Sequence, residues 1–213
     1  MAAGLFSGGK ESLYVIYLAE KQGVEVKHLI CVIPSFSIPS PHADNIEALK
    51  FLAKSMNKRL TIVDLHKGER ELVRALKNLN VDALVAGDVR VEEHVSWLKD
   101  ICGRAGINLL EPLFGKETSD LFHEIFGSGF KATIIGVATR HLGEEWLGFT
   151  LSAETAAMFL SRAQHIDPLG ENGEYYTIVI ESPLYPKAVK IKSIEKIIEK
   201  DMTYLRITLS RSC

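Results

Sequence analysis

Ser7-Gly8-Gly9-Lys10-Glu11-Ser12 puts two hydroxyls, two glycines, a cation and a carboxylate into six successive positions. That set suits a polyphosphate. Glycines let the backbone approach an anion, Lys10 adds a point charge, and Ser7 and Ser12 add hydroxyl donors. The setting strengthens the reading. An apolar run, Met1 to Phe6, reads as a first β-strand, and Leu13, Ile16, Tyr17 and Glu20 follow at helical spacing. A strand feeding a Gly-rich turn that opens a helix aims free N–H groups and a positive dipole end at its ligand.

Two phosphate loops compete for the segment. A Walker loop, G-x-x-x-x-G-K-[ST], is satisfied from Gly4 through Lys10, but its last position is Glu11 rather than the hydroxyl that holds magnesium. The pyrophosphatase loop, S-G-G-x-[DE]-S, grips the departing β,γ-pyrophosphate of ATP. It makes Glu11 a metal-side acid and Ser12 an anion donor, and leaves no residue unexplained. An ordinary Gly-rich turn with solvated charges is the bland alternative.

Three further groups carry chemistry. Gly87-Asp88-Val89 ends a predicted strand, where Asp88 suits a magnesium ion, a ribose hydroxyl or a helix N-cap. Glu93, His94 and Trp97 mark the first turns of the next helix. His94 and Trp97 share a face, which fits plain packing as well as a site. Gly170-Glu171-Asn172-Gly173-Glu174-Tyr175 sets two carboxylates among glycines. Such a turn can aim both acids at one point, to hold a cation, an ammonium group or a proton in transit. A hairpin turn with exposed acids is the simpler reading.

The elements that must position these residues alternate. Lys27–Ile33 is a continuous apolar run, as in a parallel strand covered on both faces. Pro34, Pro39 and Pro41 break the chain, Asp44 and Glu47 resemble a helix-capping arrangement, and Ile46, Leu49, Ala53 and Met56 form the buried stripe of the next helix. Strands follow at 60–65 and 82–86, helices at 69–79 and 92–105, and a short strand at 108–112. The pattern predicts a doubly wound parallel sheet that binds ligand at its strands' carboxyl ends. Beyond about residue 115 it loosens to a helix at 119–126, a strand at 132–137 and partly alternating strands at 175–181, 188–194 and 203–209. These suit a mixed or antiparallel sheet. We therefore divide the chain into a nucleotide-binding part, 1–115, and a smaller α+β part, 116–213.

Composition narrows the class. The 213 residues are 46% hydrophobic, enough for a sizeable core, and the formal net charge of −2 argues against a strong non-specific hold on nucleic acid. No apolar run approaches the roughly twenty residues of a membrane span, and no basic-then-apolar leader precedes the first strand. Cys31, Cys102 and Cys213 are scattered without a C-x-x-C pair, as expected in a reducing cytoplasm.

Taken in order, these segments resemble the diphthine–ammonia ligases and their relatives among the N-type ATP pyrophosphatases, over nearly the whole chain. The opening loop matches S-G-G-K-D-S with Glu11 for aspartate. Gly87-Asp88-Val89 with Glu92-Glu93-His94 and Trp97 matches the second block, and Cys102 is in register. Glu111-Pro112-Leu113-Phe114 resembles E-P-L-W. Gly129 to Ala132, Val137-Ala138, Leu142 and Leu147-Gly148 follow in order. The last block, G-E-G-G-E-Y-E-T, appears with Asn172 for glycine and Tyr176 for glutamate.

The resemblance implies a Rossmann-like, adenine nucleotide alpha hydrolase-like fold of the PP-loop type. It also implies ATP-dependent amidation of diphthine, a modified histidine on translation elongation factor 2. ATP, with Mg2+, would lie on Ser7, Gly8, Gly9, Lys10, Glu11 and Ser12, with Gly87 and Asp88. Glu11 and Asp88 are the magnesium candidates, and Glu93, His94, Trp97 and Tyr175 face the acceptor. Lys10, Glu171 and Glu174 are the catalytic candidates, and the Gly-rich turn should fold back toward the loop. Free ammonia is the expected nitrogen source, and a homodimer is left open. Tyr176 removes a carboxylate and puts the acceptor in more doubt than the use of ATP. The rivals are a tRNA-modifying adenylase, a nucleotide-binding module without turnover and a P-loop kinase.

Overall fold

The structure, a computed structural model, describes residues 1–35 and 40–211; Pro39 and Cys213, both singled out above, lie outside the described residues. The described residues form two compact units, one from 1–7, 11–35 and 53–115, the other from 8–10, 40–52 and 116–211.

The first unit is the parallel sheet. Strands β1 (Ala2–Leu5), β2 (Val26–Ile33), β3 (Arg59–Asp64), β4 (Ala83–Val85) and β5 (Asn108–Leu110) lie in the order β3-β2-β1-β4-β5, every pair parallel. The chain winds outward from β1 to β3, then returns to the other side of β1. That reversal makes the carboxyl ends of β1 and β4 the topological switch point, where open α/β sheets bind ligands. Ser7 lies just beyond β1 and Gly87 just beyond β4.

Helices α1 (Lys10–Lys21), α2 (Ile46–Ser55), α3 (Arg70–Leu79) and α4 (Glu92–Ala105) are the crossovers. Leu72 and Leu76 of α3 and Leu98 and Ile101 of α4 are buried with Ala3, Ile30 and Leu84 in one core. Each such Leu or Ile contributes roughly 1.5–3 kcal/mol by leaving water. Glu92 and Glu93 sit in the first turn of α4, where the helix dipole favours acids, and Gly106 closes it in the left-handed conformation. Cys31 and Cys102 are buried free thiols. Burial pushes both up to about 11, so they stay protonated and unreactive.

The second unit is built on an antiparallel sheet. Its elements are α5 (Thr118–Gly127), β6 (Lys131–Ala138), β7 (Thr150–Leu151), α6 (Ala156–Arg162), β8 (Tyr175–Glu181), β9 (Val189–Ile198) and β10 (Met202–Arg211). β6 pairs antiparallel with β7, β8 and β10, and β10 with β9. Phe122 of α5 stacks on Phe159 of α6 at 5.9 Å, and Trp146, Phe149 and Tyr175 pack their rings on Phe159. β7 and α6, two and seven residues long, were not expected from the sequence pattern.

One expected cap is replaced. Asp44 does not cap α2: its carboxylate accepts from the Tyr204 hydroxyl at 2.6 Å and from Arg206 at 3.3 Å. A 3-10 turn, Ala43–Asn45, leads into the helix instead. Asn45, buried, donates to Leu205 O at 2.9 Å and accepts from Ile207 N at 2.8 Å. Its side-chain amide thereby extends the ladder along β10 beyond the last pair with β6.

Candidate active site

The phosphate-loop residues divide between the two units. In the first, Ser7 and Ser12 close the turn on themselves. Ser7 N donates to Ser12 Oγ at 3.3 Å, and the two hydroxyls lie 3.2 Å apart. Gly87 packs on the first turn of α1 so closely that a Cβ there would stand 3.1 Å from the Glu11 carbonyl oxygen. A side chain there would require the two backbones to separate by a few tenths of an ångström. Asp88 is therefore carried at the same sheet edge as Glu11.

Asp88 heads a small polar network. Its Oδ1 lies 2.5 Å from His94 Nδ1, and its main-chain N–H donates to Glu111 Oε2 at 3.3 Å. The hydrogen bond to Asp88 raises the His94 pKa against the opposing effect of burial, and the charges of Asp88 and Glu111 add to the rise. Burial pushes the Glu111 carboxyl up to about 8, with the Asp88 charge adding to it. His94 stacks on Trp97, ring centroids 5.2 Å apart, and Trp97 Nε1 donates to Glu69 Oε1 at 2.7 Å. Glu93 is exposed on the first turn of α4. Asp88 is thus no helix cap; it orients the His94 ring.

A titration follows. In NMR the His94 midpoint should lie above the ordinary histidine range near 6.5, and Asp88→Asn should return it toward that range. The pKa is raised, so the stabilisation from this pair is present at low pH and fades as pH climbs through the folded value. A His94 midpoint unaffected by Asp88→Asn would refute the pairing.

In the second unit, Gly8–Lys10 lie along β8. Gly8 adopts φ +79 and its carbonyl accepts from Val179 N at 2.9 Å. Lys10 N donates to Thr177 Oγ1 at 3.3 Å. Lys10 is 2% exposed. Its Nζ donates to Leu169 O at 2.7 Å and stands 4.5 Å above the Tyr175 ring. The turn after α6 thus reaches the loop at Lys10.

Within that turn the two glutamates differ. Glu174 is buried and directed into its own turn. Oε1 accepts from Asp167 N at 3.1 Å and Asn172 Nδ2 at 2.9 Å, and Oε2 from Asn172 N at 2.9 Å. Burial pushes its pKa up, but the Asn172 side chain and the main-chain N–H groups outweigh that and hold it below the ordinary range. Glu171 is half-buried, and its main-chain N–H reaches Asp167 Oδ1 at 3.4 Å.

The departures from the usual last block have physical explanations. Gly170 and Gly173 have φ +73 and +78, whereas Asn172 is not among the residues of positive φ. Asparagine therefore enters position 172 without backbone strain and adds a bond to Glu174. A Cβ on Gly170 would also meet the Tyr175 ring at 2.9 Å. Tyr176 points away from Tyr175 and sets its ring edge-on to His42 at 5.9 Å.

Asp167 and the Leu169 carbonyl take part in these contacts and were not singled out from sequence; Glu111 and Thr177 fell within motif blocks but were given no role. Asp-Pro-Leu-Gly at 167–170 did carry a turn signal.

A doubly wound parallel sheet with S-G-G-K-E-S after its first strand, at the switch point, defines a PP-loop nucleotide-binding fold. The chain belongs to the diphthamide synthase family, whose N-terminal domain matches residues 1–109 and whose C-terminal domain matches 117–212. Similar proteins named diphthine–ammonia ligase occur in Schizosaccharomyces pombe (26% identical over 96% of this chain and 38% of that one) and Mus musculus (27% over 65% and 55%). A third is from Danio rerio (23% over 98% and 92%). The chain thus spans 38% and 55% of the first two relatives.

Proposed function

We propose that this chain uses ATP to amidate a protein carboxylate with ammonia, and that the acceptor is diphthine on translation elongation factor 2. The observation that carries the reading is the S-G-G-K-E-S loop at the switch point, in a chain whose two family domains together run over almost its whole length. The names of the similar proteins support the acceptor.

In this mechanism ATP places its phosphates on Ser7–Ser12. The acceptor carboxylate attacks the α-phosphorus, forming an acyl-adenylate and releasing pyrophosphate. Ammonia then attacks the acyl carbon, AMP leaves, and the proton lost by nitrogen passes to a base. Positioning and charge neutralisation supply the catalysis. Lys10 and the main-chain N–H groups of the loop meet phosphate charge, His94 and Trp97 offer a flat surface to the acceptor, and Glu171 draws ammonium and takes its proton.

Among the described residues no three His, Cys, Asp or Glu side chains converge to hold a metal. Magnesium on a nucleotide needs only one or two carboxylates beside phosphate oxygens and water, which Glu11 and Asp88 would supply. The ion would offset phosphate charge there. No helix among the described residues is long and apolar enough to cross a membrane, and the free thiols of Cys31 and Cys102 suit a reducing cytoplasm.

The test is product analysis. With MgATP, ammonium and elongation factor 2 bearing diphthine, the expected products are AMP, pyrophosphate and the amide. ADP would indicate a kinase, and AMP formed only with tRNA would indicate a nucleic-acid adenylase. No turnover with any acceptor would leave a binding module.

A further inference from the structure

A buried ammonium is costly unless its surroundings hold it. Lys10 rests on a main-chain carbonyl, Leu169 O, and beneath it lies the Tyr175 ring. Leu169 belongs to the segment 163–174, which has no helix or strand of its own. What fixes it is a pair of carboxylates.

Asp167 Oδ1 accepts from Leu169 N at 2.8 Å and from Glu171 N, and its Oδ2 accepts from Thr118 Oγ1, at the start of α5, at 2.7 Å. Asp167 N is in turn held by Glu174 Oε1, while Glu174 O accepts from Ala138 N at 2.9 Å at the end of β6. The Tyr175 hydroxyl donates to Pro168 O at 2.5 Å, tying the ring under Lys10 to the residue before Leu169. Hydrogen bonds thus run from α5 through Asp167 and Leu169 to Lys10, and from β6 through Glu174 to Asp167.

We infer that Asp167 and Glu174 are positioning residues for Lys10, a two-carboxylate lock that keeps the Leu169 carbonyl and the Tyr175 ring where they hold the lysine for the nucleotide. The inference rests on the reading of Ser7–Ser12 as the ATP loop. It gives Glu174 a different task from Glu171: a carboxylate that already accepts three N–H bonds is a poor proton acceptor, but a good splint.

A double-mutant cycle tests it, read as MgATP affinity by calorimetry. Asp167→Ala should weaken binding about tenfold in the native background and have no further effect in Lys10→Ala, because the lock acts only through that lysine. Asp167→Asn, which keeps an acceptor for Leu169 N, should restore most of the loss. An equal loss in both backgrounds, or none in the native one, overturns the lock. Unchanged affinity in Lys10→Ala alone overturns the nucleotide reading of the loop, and the lock falls with it. Should Asp167→Ala not fold, Thr118→Val removes only the hydroxyl bonded to Asp167 Oδ2 and serves the same cycle. A loss that vanishes without Lys10 supports the lock, and any other result overturns it.

Discussion

Glu171→Gln is expected to slow amide formation roughly a hundredfold or more while leaving ATP affinity unchanged. Glutamine keeps the size and shape of the side chain and retains the main-chain bond to Asp167. What it loses is the negative charge and the basic oxygen that the proposed mechanism assigns to Glu171, for drawing ammonium and for taking its proton. Single-turnover amide formation, with the acyl-adenylate formed in advance, isolates that step. Raising ammonium should not recover the rate fully, because proton acceptance is lost along with attraction. A variant that amidates at the native rate would show that this acid has no part in the chemistry.

Lys10→Ala should weaken ATP binding by roughly 1–3 kcal/mol, about five- to 150-fold, the range for a charge-assisted hydrogen bond. Pyrophosphate should lose affinity in parallel and adenosine should not, since the lysine meets only phosphate charge. Calorimetry with the three ligands decides the matter. An equal loss for adenosine would mean that the substitution had disturbed the loop rather than removed a phosphate contact.

The parallel sheet was legible because its strands and crossovers obey strong periodicities. Lys27–Ile33 reads as a covered strand, and the helix expected at 92–105 is observed at Glu92–Ala105 with Val95, Leu98 and Ile101 buried. The turn between β1 and α1 was legible because Ser7-Gly8-Gly9 separates an apolar run from a helical periodicity. The opposite fates of Glu171 and Glu174 were not. Both are acids on a Gly-rich turn, and which one turns inward depends on Asp167 and Asn172 donating to it, a matter of three-dimensional approach rather than spacing. Asp44 misled for a similar reason. Its type suits a helix cap, but Tyr204 and Arg206, 160 and 162 residues away along the chain, claim its carboxylate. The grip on Lys10 comes from a carbonyl, which every residue has and no motif can mark.

The bonds from Lys10 to Leu169 and Thr177 span 159 and 167 residues. On the ribosome, Leu169 and Thr177 are therefore added 159 and 167 residues after Lys10. At about 5–20 residues per second, the loop spends some ten to thirty seconds without them. The parallel sheet can form in that interval, but the nucleotide loop reaches its final state only when β8 arrives. A nascent chain stalled before that strand carries the loop sequence without the contacts to Leu169 and Thr177, so gain of nucleotide affinity during synthesis would report that β8 has folded.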